Sequence, residues 1–292
     1  MPHSILVGVD SSTPSRSAIA WSVARAAATG SAVELVHIVD RDLLGDEAIQ
    51  LRLQGRELID SAVEFARGLE ARVKVTAVLA EGRPAETLAT LSQGRSLLVL
   101  GTHKTGFIYG RTFGSRFIGL GWRSRCDVAF IPDRLGYDRQ SIVAGVDESA
   151  VGDAVLQVAA AEAALMSQEL VLVSSWGPAS HAPVSESALA RRASAVVRAV
   201  GLARRGHPGL RIRTRTVESP AAEALVESSA RAALLVIGRR RASGGTSASR
   251  SANLDVLINM SSPVMVVVND RAAVSKILGT NGTGSSSRLL RA

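Results

Sequence analysis

One glycine-punctuated stretch, residues 97–116, carries the residue types best suited to bind an anion: LLVLGTHKTGFIYGRTFGSR. Its four opening apolar residues are typical of a strand buried on both faces of a parallel sheet. Gly101 ends that run, and Gly114 and Ser115 stand where a helix would begin. Loop N–H groups and a helix N-terminus that point the same way can bind phosphate. We therefore predict an anion-binding loop here, with an ordinary strand-to-helix turn as the alternative.

Three polar side chains of this stretch could face a phosphate. His103 could donate a hydrogen bond to it, and Lys104 and Arg116 could neutralise its charge. Taken alone, Lys104 and Arg116 would more often be solvated surface cations. A general base needs a nucleophile beside it, and the sequence presents none. Because phosphate-loop, nucleophile-elbow and zinc-protease motifs are also absent, we expect a binding protein without catalytic residues, slow ATP hydrolysis being left open.

Three landmark residues of the first half recur in the second half at a nearly constant offset. The pairs are Asp10 and Asp147, Pro84 and Pro220, and Gly101 and Gly238. The two sequence numbers of a pair differ by 137, or by 136 for the prolines. A constant offset over three landmarks indicates a duplication, and its length suits a whole α/β domain rather than a solenoid repeat. We place the first copy at 1–134 and the second copy at 141–270, with a polar linker over 132–140 and a disordered tail over 271–292.

Strand and helix patterns alternate through both copies, which predicts doubly wound parallel sheets with right-handed crossovers. The predicted strands are 4–9, 32–39, 72–79, 96–100, 128–131, 142–146, 170–174, 210–217, 233–237 and 264–268. The predicted helices include one that Ser12 or Thr13 caps and Gly30 ends, and those at 46–69, 85–91, 115–122, 153–165, 185–203 and 221–229. No element is predicted between 238 and 263. The fold class is therefore α/β, built as two tandem domains.

Asp10 directly follows the first predicted strand. In a doubly wound sheet the ligand crevice lies at the carboxyl ends of the strands, where the strand order reverses. If the first strand neighbours the fourth, Asp10 and the glycine loop open into the same crevice. Such a crevice would have a carboxylate that accepts hydrogen bonds from a base or ribose and, opposite it, N–H groups that bind phosphates. This arrangement is typical of a nucleotide site. An aspartate that only caps a helix or stabilises a turn is the alternative.

Composition narrows the partners and the compartment. The single cysteine, Cys126, excludes an intrachain disulfide and favours a reducing compartment. No apolar run approaches the length of about 18 residues that a membrane span needs, and no secretory leader is visible, so we expect a cytoplasmic protein. The net charge of +8 suits a small anion, whereas 3% aromatic residues leave few platforms for nucleic acid. The five histidines lack metal-ligand spacing, and His37 is interpreted as a core residue.

Four motifs resemble the universal stress protein family in its tandem two-domain form: VGVD, VHIV, GRPAETL and the strand-four glycine loop, within residues 3–270. The resemblance implies the strand order 3-2-1-4-5, pairing of the copies through their last strands as a pseudo-dimer, and an adenine nucleotide such as ATP, with or without Mg²⁺. Carried onto this sequence, the adenine lies near Asp10 and Ile38. Gly101, Gly114 and Ser115 then contact the ribose and phosphates.

The sequence departs from the family's G-x-x-G-x9-G-[ST] pattern in both copies. Lys104 occupies the second glycine position, where it either binds a phosphate or fills the site. In the second copy, Gly238 precedes three arginines, 239–241, and residues 251–252 are serine and alanine. We therefore expect the nucleotide mainly in the first copy, a weaker second site at Asp147 and Gly238, and the arginines on a solvated loop.

Three functional hypotheses follow. The first is a nucleotide-binding stress-response regulator or sensor whose occupancy changes its partners. The second is a family member that has lost the nucleotide and acts as an interaction scaffold. The third is an adenylating or hydrolytic α/β enzyme, which the missing catalytic motifs disfavour. The duplication predicts that the two copies pair within one chain through 128–131 and 264–268. A homodimer of chains is also plausible, without a visible interface.

Overall fold

The computed structural model describes residues 4–40, 48–102, 123–133, 138–146, 149–176, 186–239 and 248–268. The first copy contains β1 (Ser4–Gly8), α1 (Thr13–Thr29), β2 (Ala32–Asp40), α2 (Ala48–Leu69), β3 (Val75–Gly82), α3 (Pro84–Leu91), β4 (Leu97–Thr102) and β5 (Asp127–Pro132). The second copy contains β6 (Ile142–Gly145), α4 (Ala150–Leu165), β7 (Leu170–Ser175), α5 (Glu186–Gly206), β8 (Ile212–Val217), α6 (Ala221–Ser229), β9 (Leu234–Gly238), α7 (Ala248–Asn259) and β10 (Val264–Val267).

The strands form one ten-stranded sheet in the order β3-β2-β1-β4-β5-β10-β9-β6-β7-β8. Each copy therefore has the order 3-2-1-4-5, with every pair of neighbours inside a copy parallel. The predicted fold class, α/β with tandem doubly wound sheets, is confirmed. The strand order reverses between β1 and β4, which places a crevice at their carboxyl ends.

The two copies meet at the antiparallel ladder between β5 and β10. Met265 lies opposite Ala129, and Val266 lies opposite Val128. In the repeat, Val128 corresponds to Met265 and Ala129 corresponds to Val266. The ladder therefore maps onto itself when the copies are exchanged, so a local pseudo-twofold axis passes through it.

Helices cover both faces of the sheet, as alternating side chains on buried strands require. One face packs Ile5 and Val7 of β1 under α1 and α2, and the same cluster continues under α4 and α5. The other face packs Leu6 and Leu98 under α3, and it continues under α6 and α7.

The start of α1 follows the predicted capping pattern. Ser12 is the N-cap, and its hydroxyl oxygen accepts a hydrogen bond from the Ser15 N–H at 3.3 Å. Pro14 lies in the first turn. Gly30 ends the helix at φ 65°, a left-handed conformation that glycine adopts without strain.

Two elements differ from the prediction, one in its ends and one in having been missed. The third strand, predicted over 72–79, runs from Val75 to Gly82, because the chain before it forms a turn in which the Val73 N–H donates to the Glu70 carbonyl. The helix Ala248–Asn259 was missed, because its first turns are small and polar and only its last turns carry apolar residues. The predicted helix at 115–122 and the predicted tail at 271–292 lie outside the described residues.

Candidate functional site

The candidate crevice of the first copy lies at the carboxyl ends of β1 and β4. Gly8 pairs with Leu100, so the chain after β1 and the end of β4 emerge side by side. Asp10 follows β1, and Gly101 lies on β4. The predicted neighbourhood of these two residues is therefore what the strand register produces.

Asp10 is exposed and joins the start of α1 through local hydrogen bonds. Its Oδ1 accepts from the Ser12 N–H at 2.9 Å and from the Ser12 hydroxyl. Its own N–H donates to the Ser15 hydroxyl oxygen at 3.1 Å. Among the described residues Oδ2 has no hydrogen-bond partner, so this oxygen can accept from a ligand.

Gly101 is held by close packing against α1. A β-carbon added at Gly101 would lie 2.6 Å from the Ser15 nitrogen, and it would also overlap the carbonyl group of Pro14. Backbone atoms cannot move aside as a flexible side chain can. The glycine is therefore required for the helix to approach the strand, whether or not its N–H binds a phosphate.

Ile38 and His37 occupy neighbouring positions on β2 with different surroundings. Ile38 is partly buried and packs against the core face covered by α3. His37 Nδ1 donates to the Val9 carbonyl at 2.8 Å, which ties the ring to the end of β1. This bond agrees with the interpretation of His37 as a structural histidine rather than a ligand.

The remaining predicted site residues lie outside the described residues. They are His103, Lys104, Gly114, Ser115 and Arg116 of the first copy and Asp147 of the second copy. Of the predicted site of the first copy, the structure thus describes Asp10, Ile38 and Gly101, and the phosphate-binding half of the site stays a prediction.

The second copy has a cavity of about 230 Å³ at the equivalent edge of its sheet. Its lining is mostly aliphatic, with the Ser175 hydroxyl and the Asn253 amide as polar side chains. Ser175 is the repeat equivalent of Ile38, so it takes the place predicted to contact adenine. Gly238 also lines the cavity, where an added β-carbon would overlap a methyl group of Val151 and lie 3.0 Å from Val155 Cγ2.

Sequence reasoning missed Asn253. Its side-chain nitrogen donates to the Gly238 carbonyl at 2.8 Å. The carbonyl group at the end of β9 therefore already has a hydrogen-bond partner inside the protein. Asn253 is the repeat equivalent of Arg116, so the alignment of the two copies contained a signal of this change. The second copy thus has an amide side chain, hydrogen-bonded to the backbone, at the position where the first copy has the cationic Arg116.

Arg239 was predicted on a solvated loop, and that prediction was wrong. The residue is 9% exposed, and its guanidinium donates to the Ser124 carbonyl of the first copy at 2.8 Å. Its backbone N–H donates to the Val267 carbonyl. The residue is buried because the end of β9 lies beside β10 and the junction, where a long side chain reaches the other copy. Arg240 and Arg241 lie outside the described residues.

The described part of the chain offers no group of three or more His, Cys, Asp or Glu side chains that could hold a metal ion. Cys126 is buried, and this burial raises the pKa of its thiol to about 12, so the thiol is unreactive at neutral pH. Within the ranges that the structure covers, no helix combines the length and apolar character needed to cross a membrane.

Known proteins resemble this chain over nearly its whole length. The model of the universal stress protein family matches residues 1–132 and again 138–268. Universal stress protein Rv2005c of Mycobacterium tuberculosis is 28% identical over 264 residues, covering 84% of this chain and 89% of the relative. A solved universal stress protein from Archaeoglobus fulgidus has a TM-score of 0.72 at 15% identity, covering 91% of this chain and 98% of that chain.

A shorter solved universal stress protein from Archaeoglobus fulgidus is described as a complex with dAMP. It is 21% identical, with a TM-score of 0.37, and the match covers 45% of this chain and 99% of that chain. The nucleotide is a property of that protein, and a likeness of this degree carries no conclusion about a ligand here.

Proposed function

Because this chain belongs to the universal stress protein family, we propose that it binds an adenine nucleotide such as ATP in its first copy and acts as a stress-response regulator. The observation that supports the proposal is the pairing of β1 with β4, which brings Asp10 and Gly101 to one crevice at the point where the strand order reverses. Ligands of open α/β sheets bind at such points.

Each proposed contact has a chemical reason. Asp10 Oδ2 accepts from a ribose hydroxyl or a base amine, and Ile38 offers an apolar contact to the adenine ring. N–H groups of the loop that follows Gly101, with Gly114 and Ser115, bind the phosphates. Three further side chains supply hydrogen bonds or positive charge to the phosphates, with or without Mg²⁺: His103, Lys104 and Arg116.

The second copy is the weaker site. Asn253 already donates a hydrogen bond to the Gly238 carbonyl, and Arg239 donates to the Ser124 carbonyl at the junction between the copies. Ser251 replaces the glycine that corresponds to Gly114. A ligand there would meet a mostly aliphatic cavity, which suits an uncharged ring better than a triphosphate.

The proposal extends to how the chain works. We propose two structural units, the first copy at 1–134 and the second copy at 141–270. The β5–β10 ladder supports pairing of these two copies within one chain. Nucleotide occupancy of the first copy changes which proteins this paired unit binds in the cytoplasm. A homodimer of chains is a further possible assembly, and no catalytic role is proposed.

The test is thermal unfolding of the full chain with and without millimolar ATP and Mg²⁺. A ligand at a hundredfold excess over its Kd adds about 2.7 kcal/mol to the free energy of unfolding, which raises the melting temperature by a few degrees. Gly114→Val places a branched side chain in the phosphate loop and should abolish this rise. Ser251→Val makes the matched change in the second copy and should leave the rise intact.

Three results would contradict the proposal or part of it. The absence of any rise in the unaltered chain would favour the scaffold hypothesis, with Lys104 filling the site. A rise that survives Gly114→Val and disappears in Ser251→Val would move the nucleotide to the second copy. If the rise in melting temperature is the same in Asp10→Asn, the Asp10 carboxylate does not contact the nucleotide.

A further inference from the structure

A buried ion pair joins the two copies away from both crevices. Arg25 of α1 makes a bidentate contact with Glu162 of α4, with its second guanidinium nitrogen donating to Glu162 Oε1 at 2.6 Å. The Arg25 side chain is 18% exposed and the Glu162 side chain 6% exposed. Trp21 lies beneath the guanidinium, with its ring centre 5.6 Å away. Little water therefore screens this pair.

The two partners are equivalent residues of the repeat. Glu162 stands in the second copy where Arg25 stands in the first, by the same offset that relates Asp147 to Asp10. A residue that contacts its own counterpart must lie next to the axis that exchanges the copies, as the ladder between β5 and β10 does. In a symmetric pair of identical domains this position would bring arginine against arginine or glutamate against glutamate.

Other contacts across the junction are also one-sided. Asp127 Oδ1 of the first copy accepts from the Val268 N–H of the second copy at 2.7 Å. The residue equivalent to Asp127 is Val264, which has no side-chain acceptor. Arg239 of the second copy donates to the Ser124 carbonyl of the first copy, whereas the first-copy residue equivalent to Arg239 is the much shorter Thr102. The backbone ladder is symmetric, whereas the side chains around it are not.

We propose that Arg25 and Glu162 determine which domain each copy accepts as its partner: the first copy selects the second copy and rejects a like copy. The interface thus fits the other half of the same chain. A like pairing would bury two equal charges in a poorly solvated place, which is strongly unfavourable. This inference rests on the proposed pairing of the copies and is independent of nucleotide binding.

Single charge reversals reproduce the rejected pairings inside the intact chain. Arg25→Glu sets two carboxylates at the axis, as in a pair of second copies. Glu162→Arg sets two guanidinium groups there, as in a pair of first copies. The double variant R25E/E162R restores an unlike pair in reverse order. Hydrogen exchange of the backbone amides in β5 and β10 measures how often the ladder opens, and amides of β1 and β6 check that each copy stays folded.

We expect each single reversal to speed exchange in the ladder by about 100-fold or more, because breaking a buried ion pair is strongly destabilising. The double variant should return to within about tenfold of the unaltered chain, since it restores the pairwise interaction. Unchanged exchange in either single variant, or failure of the double variant to recover, would overturn the proposal. If a reversal prevents folding, R25Q and E162Q replace it, and each should speed exchange less than a reversal but measurably.

Failure of pairing itself would look different from failure of this selection. If the copies do not pair, the ladder amides of the unaltered chain exchange as fast as exposed loops. If they pair without this selection, those amides are protected equally in all four chains.

Discussion

The ends of β4 and β9 are equivalent in the repeat, yet they are filled differently. Gly101 meets the backbone at the start of α1, whereas Gly238 meets the side chains of Val151 and Val155 in α4. Both copies need a glycine here so that a helix can approach a strand. A glycine shared at this position is therefore explained by helix packing alone. Positions that differ between the copies, such as Gly114 and Ser251, say more about which copy could bind a ligand.

The largest predicted effect separates these two glycines. Gly101→Ala should lower the free energy of unfolding by about 3 kcal/mol or more, because backbone atoms of Pro14 and Ser15 cannot yield. Gly238→Ala should cost about 1 to 2 kcal/mol, because valine side chains can shift. Urea unfolding of both variants measures the difference.

A second substitution sharpens this comparison. Adding Val151→Ala to Gly238→Ala should recover part of the loss, since it removes the overlapping methyl groups, with Val151→Ala alone as the control. Equal losses in Gly101→Ala and Gly238→Ala would mean that the two strand ends are packed alike.

The regular parts of this fold were predictable from the sequence because each rests on a local pattern. Apolar runs such as 97–100 located the buried strands, and Ser12 with Gly30 located the ends of α1. The repeat offset further predicted that the two copies would share one architecture. What the patterns report is periodicity and capping, and these are properties of short segments.

The rest depends on contacts between distant segments. Arg239 looks like a loop cation in sequence, and only its distance to Ser124, 115 residues earlier, makes it a buried donor. The repeat alignment marks Asn253 as a change from Arg116, but neither its bond to Gly238 nor the helix around it could be predicted from a local pattern. Of the candidate site, the neighbourhood of Asp10 and Gly101 was predictable from strand order, whereas the partners of Asp10 were not.

A second, intermediate effect concerns the junction, where Asp127 in β5 corresponds to Val264 in β10. The pKa of the Asp127 carboxyl is raised from 3.8 to about 6. Burial is the largest cause and the charge of Glu162 adds to it, while the hydrogen bond from the Val268 N–H and the charges of Arg25 and Arg239 oppose the rise. The folded chain therefore holds this proton more tightly than the unfolded chain. Its contribution to stability is present below pH 4 and is lost as the pH rises through 6.

Asp127→Asn should remove this pH dependence while keeping an acceptor for the Val268 N–H. Between pH 4 and pH 7 the unaltered chain should lose about 2 kcal/mol of unfolding free energy relative to Asp127→Asn. Urea unfolding at several pH values measures the difference. Glu227→Gln, which alters an exposed carboxylate paired with Arg215, is the control for the loss of one acidic side chain. A parallel pH course for Asp127→Asn and the unaltered chain would refute this account.

The smallest predicted effect tests the two crevices at Gly8 and Gly145, equivalent residues at the ends of β1 and β6. A β-carbon at Gly8 would lie 2.7 Å from Leu100 Cδ2, whereas one at Gly145 would lie 3.5 Å from Leu225 Cδ2, an ordinary contact at the cavity wall. Gly8→Ala should cost about 1 kcal/mol, since a leucine must shift. Gly145→Ala should be neutral or stabilising by about 0.5 kcal/mol, because alanine restricts the unfolded chain. Equal urea midpoints for both variants would show that the second crevice is as tightly filled as the first.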